Sequence, residues 1–167
     1  MGNLTPETIT RLWSERSAAL ALYARQWCDS PEDVVQEAFL LLARQALTPA
    51  NPVGWLYRVV RNSAINAARS GRRRSRRETA VASRGEPWFE ASDGVGLDAA
   101  EAAQMLAQLP IDQREAIVAH LWGGLPFEEI GRLCGSSAAT AHRCYRRGIA
   151  ALQERLDPCS TTKATEQ

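Results

Sequence analysis

Apolar residues return every three to four positions along most of this chain, and nowhere do they alternate with polar ones as a half-buried strand requires. That pattern restricts the fold to packed helices, because only a helix gathers such residues onto one face. Thr5-Pro6-Glu7 supplies a start: a cap hydroxyl, a proline whose missing N–H costs nothing in the first turn, and an acid at the positive end of the dipole. Ile9, Leu12, Trp13, Leu20, Tyr23 and Trp27 follow at helical spacing. Ser30-Pro31-Glu32-Asp33 repeats the signal ahead of a stripe of Val34, Val35, Ala38, Phe39, Leu41 and Leu42. Asn51-Pro52 opens a third helix, with Trp55, Leu56, Val59, Val60, Ala64 and Ile65 inward and arginines opposite. Trp55 and Tyr57 could stack on bases, but their place in the apolar stripe reads first as core.

From Thr79 to Leu97, Ser, Gly, Pro and acids interrupt every period, which predicts a flexible linker. Its Trp88-Phe89 pair fits either packing against a helix or docking. Asp98 then starts a further helix, with Glu101 as capping-box partner. After Pro110 comes a helix carrying Ile111, Ile117, Val118, Leu121 and Trp122, stopped by Gly123-Gly124. Residues 126–134 form a short helix ended by Gly135, and Ser137 caps a last one with the stripe Ala141, Tyr145, Ile149, Leu152 and Leu156. The expected fold class is therefore all-α. Two small helical domains, residues 1–78 and 98–157, are joined by the linker 79–97 and followed by a polar tail, 158–167.

Charge is what singles out a function. The net charge is only +1, but from Ala38 to Arg77 no acidic residue occurs. Arg44, Arg58, Arg61, Arg69, Arg72, Arg73, Arg74, Arg76 and Arg77 all fall there, and the acids return at Glu78, Glu86, Glu90, Asp93, Asp98 and Glu101. Surfaces ordinarily intersperse both signs, so this segregation points to a polyanion as partner. A solvated basic surface is the plainer alternative. The four cysteines (Cys28, Cys134, Cys144, Cys159) form no Cys-x-x-Cys pair. Cys134, His142 and Cys144 match no zinc spacing, so neither metal nor cofactor is expected. Without a signal peptide or a run near the roughly 18 apolar residues of a membrane helix, the expectation is a cytoplasmic protein with no membrane insertion.

Residues 127–148 follow helix-turn-helix grammar. A short helix ends at Gly135, Gly131 stands where two helices would cross closely, and Ile130 and Leu133 turn inward. His142, Arg143, Arg146 and Arg147 then lie outward on the second helix, as a recognition helix requires. An ordinary helical hairpin with a basic face is the competing reading.

Three stretches of the first domain are specific enough to resemble a family. They are Ser30-Pro31-Glu32-Asp33-Val34-Val35-Gln36-Glu37-Ala38-Phe39, Asn51-Pro52-x-x-Trp55-Leu56, and Arg61-Asn62-x-Ala64-Ile65-Asn66. Together they resemble the polymerase-binding and promoter-melting module of small bacterial sigma factors of the extracytoplasmic-function type, which keep only regions 2 and 4. Leu109-Pro110-x-x-Gln113-Arg114-Glu115, Gly124-Leu125-x-Phe127-x-Glu129-Ile130 and the helix-turn-helix are similar to region 4. The resemblance covers residues 10–77 and 98–156.

The resemblance implies roles by position. Asp33, Gln36 and Glu37 would dock on core RNA polymerase, and Asn51, Arg58, Arg61, Asn62, Asn66 and Arg69 would hold the melted minus-10 strand. Ser137, Thr140, His142, Arg143, Arg146 and Arg147 would enter the minus-35 major groove of duplex promoter DNA. An anti-sigma factor is a further partner it admits. The chain departs from the family at Asn66 (usually Asp), at Pro126 (often Ser or Thr) and at Ala141-His142-Arg143-Cys144 (more often Val-Lys-Ser-Arg), which leaves promoter sequence open. A helix-turn-helix repressor or activator that does not melt DNA is the alternative, though it leaves the arginine-rich third helix unused. A nucleic-acid enzyme lacks its chemistry: two histidines, no carboxylate cluster and no phosphate loop, so the chain is read as not an enzyme.

Overall fold

The computed structural model describes residues 4–75 and 104–156. Among them every regular element is a helix: α1 (Pro6–Ala24), α2 (Pro31–Ala43), α3 (Pro52–Ser75), α4 (Ile111–Leu121), α5 (Phe127–Cys134) and α6 (Ala138–Leu156), with one further helical turn at 104–107. The expected linker with Trp88-Phe89, the Asp98–Glu101 capping box, Cys159 and the polar tail lie outside the described residues.

Side-chain chemistry sets the helix ends. Thr5 Oγ1 accepts from the Thr8 N–H at 3.3 Å, Asn51 Oδ1 from the Gly54 N–H at 2.9 Å and Ser137 Oγ from the Thr140 N–H at 3.1 Å. Each such cap contributes about 1 kcal/mol. Ser30 makes no side-chain cap bond; Pro31 at the first helical position and the acids Glu32 and Asp33 favour that start instead. Helix α5 stops at Gly135 in the left-handed region (φ 66°), and the Ser136 N–H closes the end on the Gly131 carbonyl at 2.7 Å.

Helices α1, α2 and α3 pack on one another, as do α4, α5 and α6. The interior positions Leu20, Val35, Ala38, Leu42, Leu56, Val60 and Ala64 are buried as their spacing predicts. Burying a Leu or Val fully contributes roughly 1.5–3 kcal/mol. Tyr57 is wholly buried, in keeping with its reading as core, and Trp55 is half-buried. Five expectations of burial do not hold: Trp13, Leu41, Ile111, Leu121 and Trp122 are all exposed. In the run Phe39-Leu40-Leu41-Leu42 only Phe39 and Leu42, three apart, reach the core face. Trp122 caps α4 as the chain turns toward Gly124 (φ 65°), beyond the last residue that the bundle covers. Trp13, expected in the α1 stripe, is 42 % exposed, with the edge-on Phe39 ring 5.0 Å away.

The two bundles also bury residues against each other. α1 touches α4, α3 touches α5, and Val118, Ala119, Leu125, Ile130 and Ala141 belong to the same core as Tyr23, Leu56 and Tyr57. A second, smaller core of Leu106, Leu109 and Ile117 closes under Tyr145, Ile149 and Leu152.

Candidate nucleic-acid interface

On α3 the spacing of the polar residues builds a single stripe. Arg58, Asn62, Asn66 and Arg69 follow one another at four, four and three positions, and all are exposed. The opposite side carries Leu56, Val60 and Ala64, which lock the helix into the first bundle. Asn51 is exposed at the head of the helix, with its Oδ1 committed to the cap. The stripe therefore offers two guanidinium groups and two amides on a rigid element, a combination that pairs with phosphates and base edges.

On α6 the division is equally plain. Ala141 and Gly148 are buried, Tyr145 and Ile149 half-buried, while His142, Arg143, Arg146 and Arg147 are exposed on the other side. Gly131 lets α5 cross the start of α6: a Cβ there would lie 2.8 Å from the Ser137 carbonyl carbon and 2.9 Å from the Ala138 nitrogen. That crossing fixes the tilt of α6 and so the direction of its basic face. Ser137 and Thr140 share a 3.0 Å hydroxyl contact, and Arg143 reaches Thr140 Oγ1 at 3.3 Å, which preorders the first turn. The His142 ring meets the Phe127 ring edge-on at 4.9 Å, and the His120 ring stacks on Phe127 at 4.3 Å.

Arg61 stands apart from its neighbours. Its Nε donates to Glu115 Oε1 at 2.7 Å and its Nη2 to Oε2 at 3.4 Å, and the guanidinium lies 5.7 Å from the Trp27 ring centre. Tyr23 donates to the same Oε1 at 2.5 Å. Glu115, on α4, is only 3 % exposed. Hydrogen bonding to Glu115 pushes the Arg61 pKa further up, and burial followed by the nearby Glu115 charge pushes the Tyr23 phenol well above its usual range. Removing one partner of a buried pair typically costs about 3–5 kcal/mol, because the other charge is left uncompensated. Neither Glu115 nor Tyr23 was foreseeable as a site residue from spacing. The available signal was that Glu115 heads the otherwise apolar run Ala116–Ala119.

Asp33, Gln36 and Glu37 are exposed on one side of α2, opposite the buried Val34, Val35 and Ala38. The three cysteines described are free thiols. Burial pushes Cys134 up to about 12, and Cys144, raised first by burial, donates to Asp112 Oδ2 at 3.5 Å. Among the described residues no group of three or more His, Cys, Asp or Glu could hold a metal ion, and no helix is long and apolar enough to cross a membrane.

Comparison with known proteins follows the same division. Residues 12–74 match sigma-70 region 2 and residues 99–152 match sigma-70 region 4. The ECF RNA polymerase sigma factor SigJ of Mycobacterium tuberculosis (strain ATCC 25618 / H37Rv) is 32% identical over 130 residues, which are 70% of this chain and 40% of SigJ. The chain thus spans about two fifths of that relative's length. Among solved structures, the sigma factor RpoE in complex with the anti-sigma factor NepR, from Bartonella quintana, superposes with a TM-score of 0.70 at 22% identity, over 93% of this chain and 99% of that one. CnrH in complex with the cytosolic domain of CnrY gives 0.62 at 23% identity, over 93% and 92% of the two chains. The SigJ crystal structure gives 0.56 at 24% identity, over 87% and 53%.

Proposed function

We propose that this chain, which belongs to the sigma-70 family through its regions 2 and 4, binds core RNA polymerase and directs promoter-specific transcription initiation. The observation that carries the reading is the presence, in that order on one chain, of an acid-free arginine helix and a helix-turn-helix with a basic outer face. Residues 1–78 form the first module, 98–157 the second, 79–97 the connection and 158–167 a tail.

In this reading Asp33, Gln36 and Glu37 meet a basic surface of the core enzyme. Ser137, Thr140, His142, Arg143, Arg146 and Arg147 enter the minus-35 major groove, where a bidentate base contact discriminates by about 1–3 kcal/mol. Asn51, Arg58, Arg61, Asn62, Asn66 and Arg69 hold the unwound minus-10 strand. Opening costs about 1.4 kcal/mol of stacking per base step, and a freed base stacked on protein returns roughly 1–3 kcal/mol. The chain supplies binding energy and no chemistry of its own. Its work lies in the cytoplasm, with the polymerase and the promoter. An anti-sigma factor is a further partner, by analogy with the complexes that RpoE forms with NepR and CnrH with CnrY.

The test separates the two modules' jobs within the full chain. Asp33→Lys with Glu37→Lys should abolish capture by core polymerase and leave duplex binding intact. Arg143→Ala with Arg147→Ala should weaken duplex binding and lower its salt slope by up to about 2 units, and leave core capture intact. Unchanged core capture by the first variant and unchanged duplex affinity and slope in the second would refute the assignment.

A further inference from the structure

Three helices of the second module meet in a stack of rings. His120, in the last turn of α4, lies on Phe127, the first residue of α5, at 4.3 Å with 22° between the ring planes. Tyr145 of α6 closes on both, 5.0 Å from His120 and 5.4 Å from Phe127. His142, one turn earlier on α6, sets its ring 4.9 Å from Phe127 at 74°. Stacked and edge-on pairs at such distances are favoured aromatic arrangements. The far end of the stack is anchored as well. The Nδ1 of His120 lies 2.8 Å from the Leu125 carbonyl, and a carbonyl can only accept, so that nitrogen carries the proton.

His142, Arg143, Arg146 and Arg147 are all exposed, yet they are not held alike. Among the described residues Arg146 and Arg147 make no hydrogen bond or ion pair, and Arg143 bonds to Thr140 of its own helix. Long side chains that turn freely suit phosphates, which recur along the backbone and carry no sequence. His142 has two side-chain torsions, and a ring from another helix restricts them. Neither of its nitrogens has a hydrogen-bonding partner among the described residues, so the ring is held while its polar edge stays open. A polar group fixed in advance rejects a base that offers it no counterpart, because it cannot swing to another.

We infer that His142 is the residue of α6 that discriminates among bases, and that Phe127, backed by His120, is its positioning residue. The inference rests on the reading of α6 as the helix in the minus-35 groove. A neutral imidazole brings one N–H donor, and guanine presents two adjacent acceptors, O6 and N7, on its major-groove edge. Adenine sets its N6 donor beside N7, and cytosine exposes the N4 donor. The base that His142 selects is therefore guanine.

The test uses full-length protein on core polymerase and a duplex library randomised over the minus-35 element. Wild type should enrich guanine at one position about fivefold, as one net hydrogen bond allows. His142→Ala should erase the preference at that position. Phe127→Leu keeps apolar bulk without the ring and should lower it there by at least half. Combined with His142→Ala it should remove nothing beyond the His142→Ala effect, because the two act as one unit. Phe127→Tyr restores the ring and should restore the enrichment. His120→Gln keeps a donor for the Leu125 carbonyl and removes only the outer ring. It should weaken the same position, and it decides the matter if melting shows the Phe127→Leu protein unfolded. Enrichment lowered evenly at every position by the Phe127 or His120 variant, or left unchanged by both, would overturn the positioning. Loss of a preference for another base in His142→Ala would overturn the guanine assignment. A profile unchanged by His142→Ala but altered by Arg143→Ala with Arg147→Ala would overturn the choice of His142 and leave α6 as the reader. Only a profile indifferent to all of these variants would sink the reading of α6 itself.

Discussion

Gly131 allows a prediction whose sign is opposite to the intuitive one. Replacing an interior helical glycine by alanine ordinarily stabilises by about 1 kcal/mol. At Gly71, on α3, an added Cβ meets nothing within 4 Å, so Gly71→Ala should show that gain. At Gly131 the added carbon would lie 2.8 Å from Ser137 C, 2.9 Å from Ala138 N and 3.0 Å from Ser136 O. All three are backbone atoms, so no side chain can swing aside. Overpacking costs about 1–3 kcal/mol, and rigid neighbours place this case at the upper end, for a net loss of about 2 kcal/mol after the propensity gain. Gly148→Ala should fall between the two, since its nearest obstacle, at 2.6 Å, is the tip of Ile117. For a chain of 167 residues one kcal/mol moves Tm by about 2–4 °C. Gly71→Ala should therefore melt about 2–4 °C higher than wild type and Gly131→Ala about 4–8 °C lower by calorimetry. Duplex binding should fall only in the Gly131 variant, because α6 loses its tilt. A Gly131→Ala protein that melts at or above wild type would refute the close crossing of α5 and α6.

Three further outcomes follow from the packing. Ser137→Ala removes the cap of α6 and should cost about 1 kcal/mol in chemical denaturation; no loss would mean the cap bond carries no weight. Ile130 lies in the core common to both modules, so Ile130→Ala should lower one cooperative melting transition by about 2–5 kcal/mol, and two transitions with only one moved would contradict that shared core. Burial raises Tyr57 from 10.0 and Cys134 from 9.0, each to about 12, so both protonated forms stabilise the fold fully below about pH 9. Stability should fall as pH rises from there toward 12, less steeply in Tyr57→Phe and Cys134→Ala; denaturation midpoints independent of pH across that window would exclude the effect.

How much of this was legible in the sequence depends on the range of the interactions. Helix starts at Pro6, Pro31 and Pro52, the stop at Gly135 and the Ser137 cap are decided within four residues, and local reading found them. The exposed stripe Arg58-Asn62-Asn66-Arg69 was legible for the same reason, since periodicity alone places those side chains together. Exposure at Leu121 and Trp122 was not, because it depends on where the bundle ends rather than on the helix's own pattern. Glu115 was the largest omission. It sits in a motif that reads as polar surface, and its burial is stabilised by Arg61 and Tyr23, 54 and 92 positions away in the chain. No local signal encodes such a pair, and the packing of one module on the other was missed with it. The roles of the site residues in DNA and polymerase binding came from family resemblance, to which the geometry adds shared faces and, except at the half-buried Arg61 and Thr140, exposure.

Promoter opening by this chain with core polymerase, as proposed, has unpaired thymines as its most direct signature. Full-length protein with core enzyme on a promoter it directs should make thymines near the start site permanganate-reactive and yield a defined transcript. Neutralising Arg58, Arg61 and Arg69 together should suppress that reactivity while core binding persists. Tight binding of operator DNA by the chain alone, with no permanganate-reactive thymines or transcript on any promoter when core is added, would contradict the account.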